Sequence, residues 1–111
     1  MGKVSFAKWV DVSGGEKGFT PLYTVPAART LTVKRVQVFF PVGDYGELKL
    51  ALYFGNSQRL PRQGYYQGDG CLVIDETEAK WPSGSEVKLY YENENETETR
   101  SAYILVEGEL E

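Results

Sequence analysis

Apolar side chains recur at every second position along most of this chain, in segments separated by proline and glycine. The segment at 47–54 shows the pattern most clearly, because Leu48, Leu50, Leu52 and Phe54 all fall on one side of an extended chain. Such alternation is typical of a strand with one buried face. About eight segments of this kind follow one another, which predicts an all-β fold: an antiparallel β-sandwich of about eight strands, jelly-roll-like in its connections.

The longest apolar segment changes phase in its middle. Apolar residues occupy odd positions up to Val33 and even positions from Val36 to Phe40, so the change falls at Lys34 and Arg35. A shift of one residue would turn half of the segment away from the core. We therefore predict a β-bulge at this point, since one extra residue keeps both halves facing inward.

Two proline motifs in the chain are alike. Val25-Pro26 and Trp81-Pro82 each place a large apolar residue before proline, and small residues and an alternating apolar run follow. Proline fixes its own φ angle and donates no hydrogen bond, so it suits the point where a strand leaves a sheet. The two motifs predict two similar crossings between sheets, as in a jelly roll built from two Greek keys.

The length of 111 residues is typical of one domain. A chain of this size buries roughly two thirds of its unfolded surface, which is enough for a core without disulfides. We expect residues 1–111 to form a single β-sandwich domain, in which residues 1–22 are an N-terminal arm or an edge strand. No segment approaches the ~18 apolar residues of a membrane-spanning helix, so no membrane partner is expected.

The net charge of −4 is unevenly distributed along the chain. Residues 1–62 carry nine Lys and Arg against four Asp and Glu, a net charge of +5, whereas residues 63–111 carry three against twelve, a net charge of −9. Either each half solubilises its own surface, or oppositely charged faces meet within one domain or between copies. The acidic total argues against a nucleic-acid partner, which requires a basic surface.

The sequence lacks the side-chain sets that are typical of enzymes. Histidine is absent, which removes the usual base of a Ser or Cys nucleophile and the commonest zinc ligand. The single cysteine, Cys71, lies in an apolar segment and is expected to be a buried, unreactive thiol. Residues 11–16 and 75–78 are rich in oxygen atoms that could bind calcium. Neither segment has EF-hand spacing, so we expect solvated loops there. We predict no enzyme activity, no cofactor and no metal, with a catalytic carboxylate pair as the enzymatic alternative.

Two segments carry residue types that are enriched at interfaces. The segment at 59–66 brings arginine and tyrosine together on a predicted exposed loop, and residues 1–22 hold aromatic residues on a strand that could pair with another chain. The tyrosine rings are also suited to stacking on sugars. The predicted contact residues, for a partner or a ligand, are Phe6, Trp9, Arg59, Arg62, Tyr65 and Tyr66.

A resemblance is carried by residues 25–38, which read Val-Pro-Ala-Ala-Arg-Thr-Leu-Thr-Val-Lys-Arg-Val-Gln-Val. This corner and strand resemble those of small β-sandwich virion proteins of tailed bacteriophages, and residues 101–108 resemble their closing strand. The resemblance extends loosely from Tyr23 to Gly108, and the chain length and all-β pattern are similar to those of capsid decoration proteins.

The resemblance implies a non-enzymatic structural protein of the virion, assembled in the host cytoplasm. Its implied role is to staple neighbouring subunits of the major capsid protein of the same virion and so stabilise the assembled shell. A homo-oligomer, either a dimer or a trimer, is expected. The alternative is a carbohydrate- or receptor-binding β-sandwich module, because sandwiches of that kind share similar corners.

Overall fold

The computed structural model describes residues 2–111, and these residues form eight β-strands. The strands are β1 (Gly2–Val12), β2 (Lys17–Thr24), β3 (Leu31–Phe40), β4 (Leu48–Phe54), β5 (Ser57–Leu60), β6 (Cys71–Trp81), β7 (Glu86–Asn93) and β8 (Arg100–Leu110). This described part of the chain holds no helix of the length and apolarity that crossing a membrane would require.

The strands form two four-stranded sheets that enclose the core. Sheet A has the order β1-β8-β3-β6 and sheet B the order β2-β7-β4-β5, and neighbouring strands are antiparallel. Every connection passes from one sheet to the other, except that β4 leads directly to its neighbour β5. This order is that of a jelly roll built from two Greek keys, so the predicted all-β sandwich is confirmed.

The predicted bulge is present in β3. The register of this strand with both β6 and β8 shifts between Val33 and Arg35. Val33 and Val36 are both fully buried, so the extra residue keeps the two halves of the strand facing the core. Gly108 lies opposite Val33, and a Cβ there would clash with the backbone oxygen of Thr32, which explains why glycine occupies the position.

The two proline motifs form adjacent crossings between the sheets. Pro26 lies between β2 and β3, and Pro82 lies between β6 and β7. The Val25 amide donates to the Ser85 carbonyl at 2.8 Å, and the Gly84 amide donates to the Val25 carbonyl at 3.1 Å. The two crossings therefore support each other, and the prediction of two similar corners is confirmed.

The core lies between the sheets and is almost entirely apolar. Trp81 is its largest residue, and its Nε1 donates to the Tyr53 carbonyl at 3.1 Å. The buried Asn93 is also satisfied, because its amide group donates to the carbonyls of Val12 and Glu98. Each large apolar side chain that is buried in this way contributes about 1.5–3 kcal/mol to folding. Other fully buried members are Leu31, Phe40, Leu50, Leu52, Leu89 and Ile104.

Two predictions about β6 are wrong. Cys71 is exposed rather than buried, because it is the first residue of the strand, at the end of the sheet. Residues 75–78 lie within β6 rather than in a loop. Their acidic side chains are tolerated because β6 is an edge strand, where Glu78 forms an ion pair with Lys34 at 3.0 Å.

Candidate interaction surface

The outer face of sheet A carries a row of apolar side chains that crosses all four strands. Trp9 of β1 pairs with Tyr103 of β8, and Tyr103 pairs in turn with Phe39 of β3. Phe39 pairs with Leu72 of β6, and Ile74 lies two residues further along the same strand. We refer to these five residues, Trp9, Phe39, Leu72, Ile74 and Tyr103, as the apolar row.

The side chains of the apolar row are each between 42% and 52% exposed. Three half-exposed aromatic rings of about 200 Å² each leave roughly 300 Å² uncovered, before the two aliphatic side chains are added. Monomeric proteins seldom expose a contiguous apolar patch larger than a few hundred Å², and the larger patches mark interaction sites. The apolar row therefore has the size expected for the centre of an interface.

The rings of the apolar row are cross-strand neighbours, but within residues 2–111 they stack on no other ring and lie under no cation. None of the ring–ring and cation–π contacts found there includes Trp9, Phe39 or Tyr103. The polar group of Trp9 is satisfied at its own edge, since Nε1 donates to Asp11 Oδ1 at 3.0 Å. The Ser101 hydroxyl also donates to Asp11. Docking against the row would therefore bury apolar rings without leaving the indole N–H of Trp9 unpaired.

Beyond the apolar row, the sheet A face carries charged and polar side chains. Arg35 lies between Glu107 of β8 and Glu76 of β6 in the sheet register. Gln37 Nε2 donates to Glu107 Oε1 at 3.1 Å. A shallow hollow of about 220 Å³ opens beside Lys3 and Arg35. An apolar centre bordered by charged side chains is the usual anatomy of a protein–protein interface.

The outer face of sheet B carries a different group of aromatic residues. Phe19, Tyr53 and Tyr90 contact one another with ring centroids between 5.0 and 5.8 Å apart. Tyr65, from the loop after β5, lies 5.9 Å from Tyr90. The rings meet edge to face or tilted, as aromatic quadrupoles prefer. We refer to these four residues, Phe19, Tyr53, Tyr65 and Tyr90, as the aromatic cluster.

Two lysines lie over rings of the aromatic cluster. Lys88 Nζ is 4.9 Å from the Phe19 centroid, and Lys49 Nζ is 5.1 Å from the Tyr65 centroid. Both distances are within the range of a cation–π interaction. Lys49 also forms an ion pair with Glu94 at 3.2 Å, and this contact raises the pKa of Lys49. The outermost rings of the cluster are thus in contact with cations of the same chain.

Tyr90 is the central member of the aromatic cluster. Its ring contacts all three others, and its hydroxyl donates to Glu92 Oε1 at 2.6 Å. Burial raises the pKa of Tyr90, and the hydrogen bond to Glu92 adds to the rise. The rings of the aromatic cluster therefore contact one another, and the Tyr90 hydroxyl has a hydrogen-bond partner within the chain.

The predicted contact residues of β1 point in different directions. Trp9 belongs to the apolar row, whereas Phe6 is half-buried and stacks on Tyr23 of β2, with ring centroids 4.6 Å apart and planes at 2°. β1 is an edge strand of sheet A and pairs with β8 along its whole length. Phe6 thus holds this edge strand against sheet B, while Trp9 faces solvent.

The predicted contact residues of the 59–66 segment do not form one surface. The Arg59 guanidinium lies 5.3 Å from the ring centroid of Phe54. Arg62 Nη2 donates to the Glu78 carbonyl at 3.1 Å and so ties the loop to β6. Tyr65 joins the aromatic cluster on the outer face of sheet B.

Tyr66 departs furthest from its predicted exposure. Its side chain is only 3% exposed, and its backbone forms a bridge with Leu50 of β4. The hydroxyl donates to Asp75 Oδ2 at 2.6 Å, and burial raises the pKa of Tyr66. The predicted exposure of Tyr66 is therefore wrong, because the ring is part of the core.

The sequence interpretation missed most members of the apolar row, namely Phe39, Leu72, Ile74 and Tyr103. A signal was present, since β8 alternates buried Ala102 and Ile104 with apolar Tyr103 and Leu105. A strand that is apolar on both sides is typical of one that is covered on both sides.

Asp44 holds the one buried carboxylate in the described part of the chain, and its charged neighbours are Arg100, Glu47 and Asp69. Asp44 is 5% exposed, and its burial raises its pKa. Its Oδ1 accepts a hydrogen bond from the Ser101 amide at 3.4 Å. Within residues 2–111, no three side chains of His, Cys, Asp or Glu converge on a point where a metal ion could bind.

No protein-family model matches the sequence, and no curated protein matches it. Among solved structures, the chain is similar to one in the acidic stable capsid of Helicobacter pylori bacteriophage KHP30, at 12% identity over 99% of this chain and 95% of the other, with a TM-score of 0.56. It is also similar to one in the capsid asymmetric unit of cyanophage Pam1, at 12% identity over 96% and 83% of the two chains, with a TM-score of 0.54. The crystal structure of FLHE matches at 13% identity over 97% and 98%, but its TM-score of 0.49 is too low to support an argument. At these identities the likeness shows the fold alone: this chain shares its β-sandwich architecture with chains of two phage capsids.

Proposed function

We propose that this chain is a non-enzymatic structural protein of a bacteriophage virion, and more narrowly a capsid decoration or staple protein. Its partner is the major capsid protein of the same virion, and it joins the shell during assembly in the host cytoplasm. The observation that carries the proposal is the apolar row, an exposed interface-like surface on a rigid sandwich. The fold shared with chains of two phage capsids supports the virion setting.

The shape of the sheet A face favours a protein partner. The apolar row lies on the outer face of a sheet, whereas small molecules are usually bound in concave pockets that enclose most of their surface. A standard interface buries about 800 Å² on each partner and has an apolar centre and a polar rim. The apolar row supplies such a centre, and the charged residues near Arg35 supply part of the rim.

The proposed mechanism of stabilisation is mass action. A protein that binds the assembled shell but not free subunits lowers the free energy of the assembled state by RT ln(1 + [L]/Kd) at each site. Because a shell repeats the same joint many times, a modest gain at each joint sums to a large one. The sandwich is folded before it binds, so little ordering free energy is lost on docking.

Cosedimentation with shells tests the proposal. Shells of the phage that encodes this chain, prepared without it, are mixed with the purified protein and pelleted. The expected result is saturable, stoichiometric uptake and a higher temperature of shell disruption. Absence of uptake by intact shells would overturn the proposal.

A matched pair of phenylalanines identifies the face that is used. Phe39 of the apolar row and Phe19 of the aromatic cluster are 44% and 46% exposed. We expect Phe39→Asp to abolish uptake, because it places a charge at the centre of the buried surface. Phe19→Asp serves as the control and is expected to retain uptake. Circular dichroism is used to check that both variants fold.

A second candidate function is favoured by the aromatic cluster. The Phe19 and Tyr65 rings are partly exposed on the sheet B face, where they could stack on the C–H face of a pyranose. In this alternative, the chain is a carbohydrate- or receptor-binding module. It predicts saturable binding on a glycan array that is lost in Tyr65→Ala and retained in Phe39→Asp. An array without hits would eliminate this candidate.

A further inference from the structure

Sheet A ends in two long edge strands. β1 and β6 each contain 11 residues, and within residues 2–111 the ladder of β1 is with β8 alone and the ladder of β6 is with β3 alone. Each edge therefore leaves a series of backbone N–H and C=O groups without a strand partner, although on β6 the Glu78 carbonyl accepts a hydrogen bond from Arg62 Nη2 at 3.1 Å. The edge strand β5 of sheet B has only 4 residues, which is the short form that natural sheets use against pairing.

We propose that β1 of one copy pairs with β6 of the next copy, so that sheet A continues from one molecule to another. Adjacent strands of sheet A are antiparallel, so β1 and β6 run in opposite directions. Joining these two edges therefore continues the antiparallel order. The inference takes its biological setting from the proposed function, but the purified protein alone tests it.

The apolar row indicates the register in which β1 of one copy pairs with β6 of the next, and we call this pairing the joint. Trp9 and Leu72 lie at the two ends of the row and thus at the same level of the sheet. Placing Trp9 of one copy opposite Leu72 of the next also places Ala7 opposite Ile74. The row then runs across the joint without a polar interruption, and cross-strand apolar pairs of this kind stabilise sheets.

The same register brings opposite charges together. Lys3 of β1 falls opposite Glu78 of β6, and the two edges differ in sign: β1 carries two Lys and one Asp, whereas β6 carries three acidic residues and one Lys. Full antiparallel overlap of two β6 edges would set Glu76 against its own equivalent, which is unfavourable. Full overlap of two β1 edges would set Trp9 opposite Ser5 and interrupt the apolar row.

Pairing between two different edges is a head-to-tail contact. Such contacts generate closed rings when the rotation between copies closes, and open chains when it does not. Every copy in a ring would turn its apolar row toward the same surface of the closed sheet. A ring of three copies would match the expected trimer.

Paired cysteines test the proposed joint. The background is Cys71→Ser, because Cys71 is exposed and would form unrelated disulfides. In this background, the double variant Ala7→Cys/Ile74→Cys is expected to cross-link under mild oxidation into species longer than a dimer. Residues directly opposite one another place their Cβ atoms roughly 4.5–5.5 Å apart, which is close to disulfide geometry. Within one copy, the two positions are separated by three strand spacings, about 14 Å, so they cannot cross-link internally.

The single variants Ala7→Cys and Ile74→Cys are the matched controls and are expected to remain monomeric on denaturing gels. Lys3→Glu is expected to weaken self-association about three- to tenfold in sedimentation equilibrium, because it sets like charges against Glu78. A folded double variant that does not cross-link would overturn the proposal. Dimers of Ala7→Cys alone at the yield of the double variant would also overturn it, in favour of pairing between β1 edges. Shell uptake is measured separately, so the failure of one proposal is distinguishable from the failure of the other.

Discussion

Both outer faces of the sandwich display exposed aromatic rings, such as Phe39 on sheet A and Phe19 on sheet B, but only on sheet B do the rings contact one another. On sheet B, Phe19, Tyr53, Tyr65 and Tyr90 contact one another, and lysines lie over two of the rings. On sheet A, the rings of Trp9, Tyr103 and Phe39 follow one another across the strands without such contacts in the described residues. The exposure of Phe39 and of Phe19, at 44% and 46%, would therefore not separate the two faces.

The difference indicates what each face contributes. Aromatic pairs stabilise a fold by about 0.5–1.5 kcal/mol beyond their buried area, so the aromatic cluster strengthens sheet B itself. The rings of the apolar row lack this internal contribution and leave their faces in water. Their burial is available to another molecule, and this is why we propose that sheet A binds the partner.

Substitutions at the centre of the apolar row are expected to change the affinity for shells more than any other substitutions. Phe39→Ala and Tyr103→Ala, on the two inner strands, are expected to weaken shell binding at least ~30-fold, or about 2 kcal/mol, because hot spots cluster at the centre of an interface. Leu72→Ala, on the edge strand β6, is expected to weaken it less than ~5-fold. Titration of labelled protein onto shells measures all three. Equal losses at Phe39 and at Phe19 would remove the distinction between the faces.

The free energy of unfolding is expected to depend more on the aromatic cluster of sheet B than on the apolar row of sheet A. Tyr90→Ala is expected to lower the free energy of unfolding by about 2–4 kcal/mol, because it removes three ring contacts and the hydrogen bond to Glu92. Tyr103→Ala is expected to lower the free energy of unfolding by about 1 kcal/mol. Urea unfolding followed by circular dichroism measures both, and Tyr90→Phe isolates the hydroxyl. A larger loss at Tyr103 would show that the apolar row stabilises the fold rather than a complex.

The smallest effect is a dependence of stability on alkaline pH. Because the pKa of Tyr90 is raised above its ordinary value of 10.0, the unfolded chain loses this proton before the folded one does. Stability is therefore complete below about pH 10 and declines as pH rises further. Tyr90→Phe is expected to make the decline shallower, with the remainder due in part to Tyr66, whose pKa is also raised. An unchanged slope in Tyr90→Phe, from urea unfolding at several pH values, would contradict this account of the cluster.

The sequence was most informative where a local pattern has a single structural solution. The change of phase at Lys34 and Arg35 required one extra residue in the strand, and the bulge lies there. Pro26 and Pro82 marked corners, because proline cannot continue a sheet ladder, and both lie at crossings between the sheets. The sandwich could be predicted for the same reason.

Most of the candidate surface was not predicted, because it depends on contacts between distant residues. Tyr65 and Tyr66 are neighbours in one loop, yet the bridge of Tyr66 to Leu50 buries one ring and leaves the other on the surface. Positions 9, 39, 72 and 103 join into a row only through the register of four strands. Cys71 was misplaced because an apolar segment does not reveal where the sheet ends.

Protection footprinting decides which outer face of the sandwich contacts the shell. Hydroxyl radicals modify exposed aromatic side chains, and mass spectrometry compares free protein with shell-bound protein residue by residue. Our account predicts strong protection of Trp9, Phe39 and Tyr103 on binding, with Phe19 and Tyr65 modified at the same rate in both states. Protection of Phe19 and Tyr65 with Trp9, Phe39 and Tyr103 unchanged would contradict it, because the sheet B face would then be the one that binds.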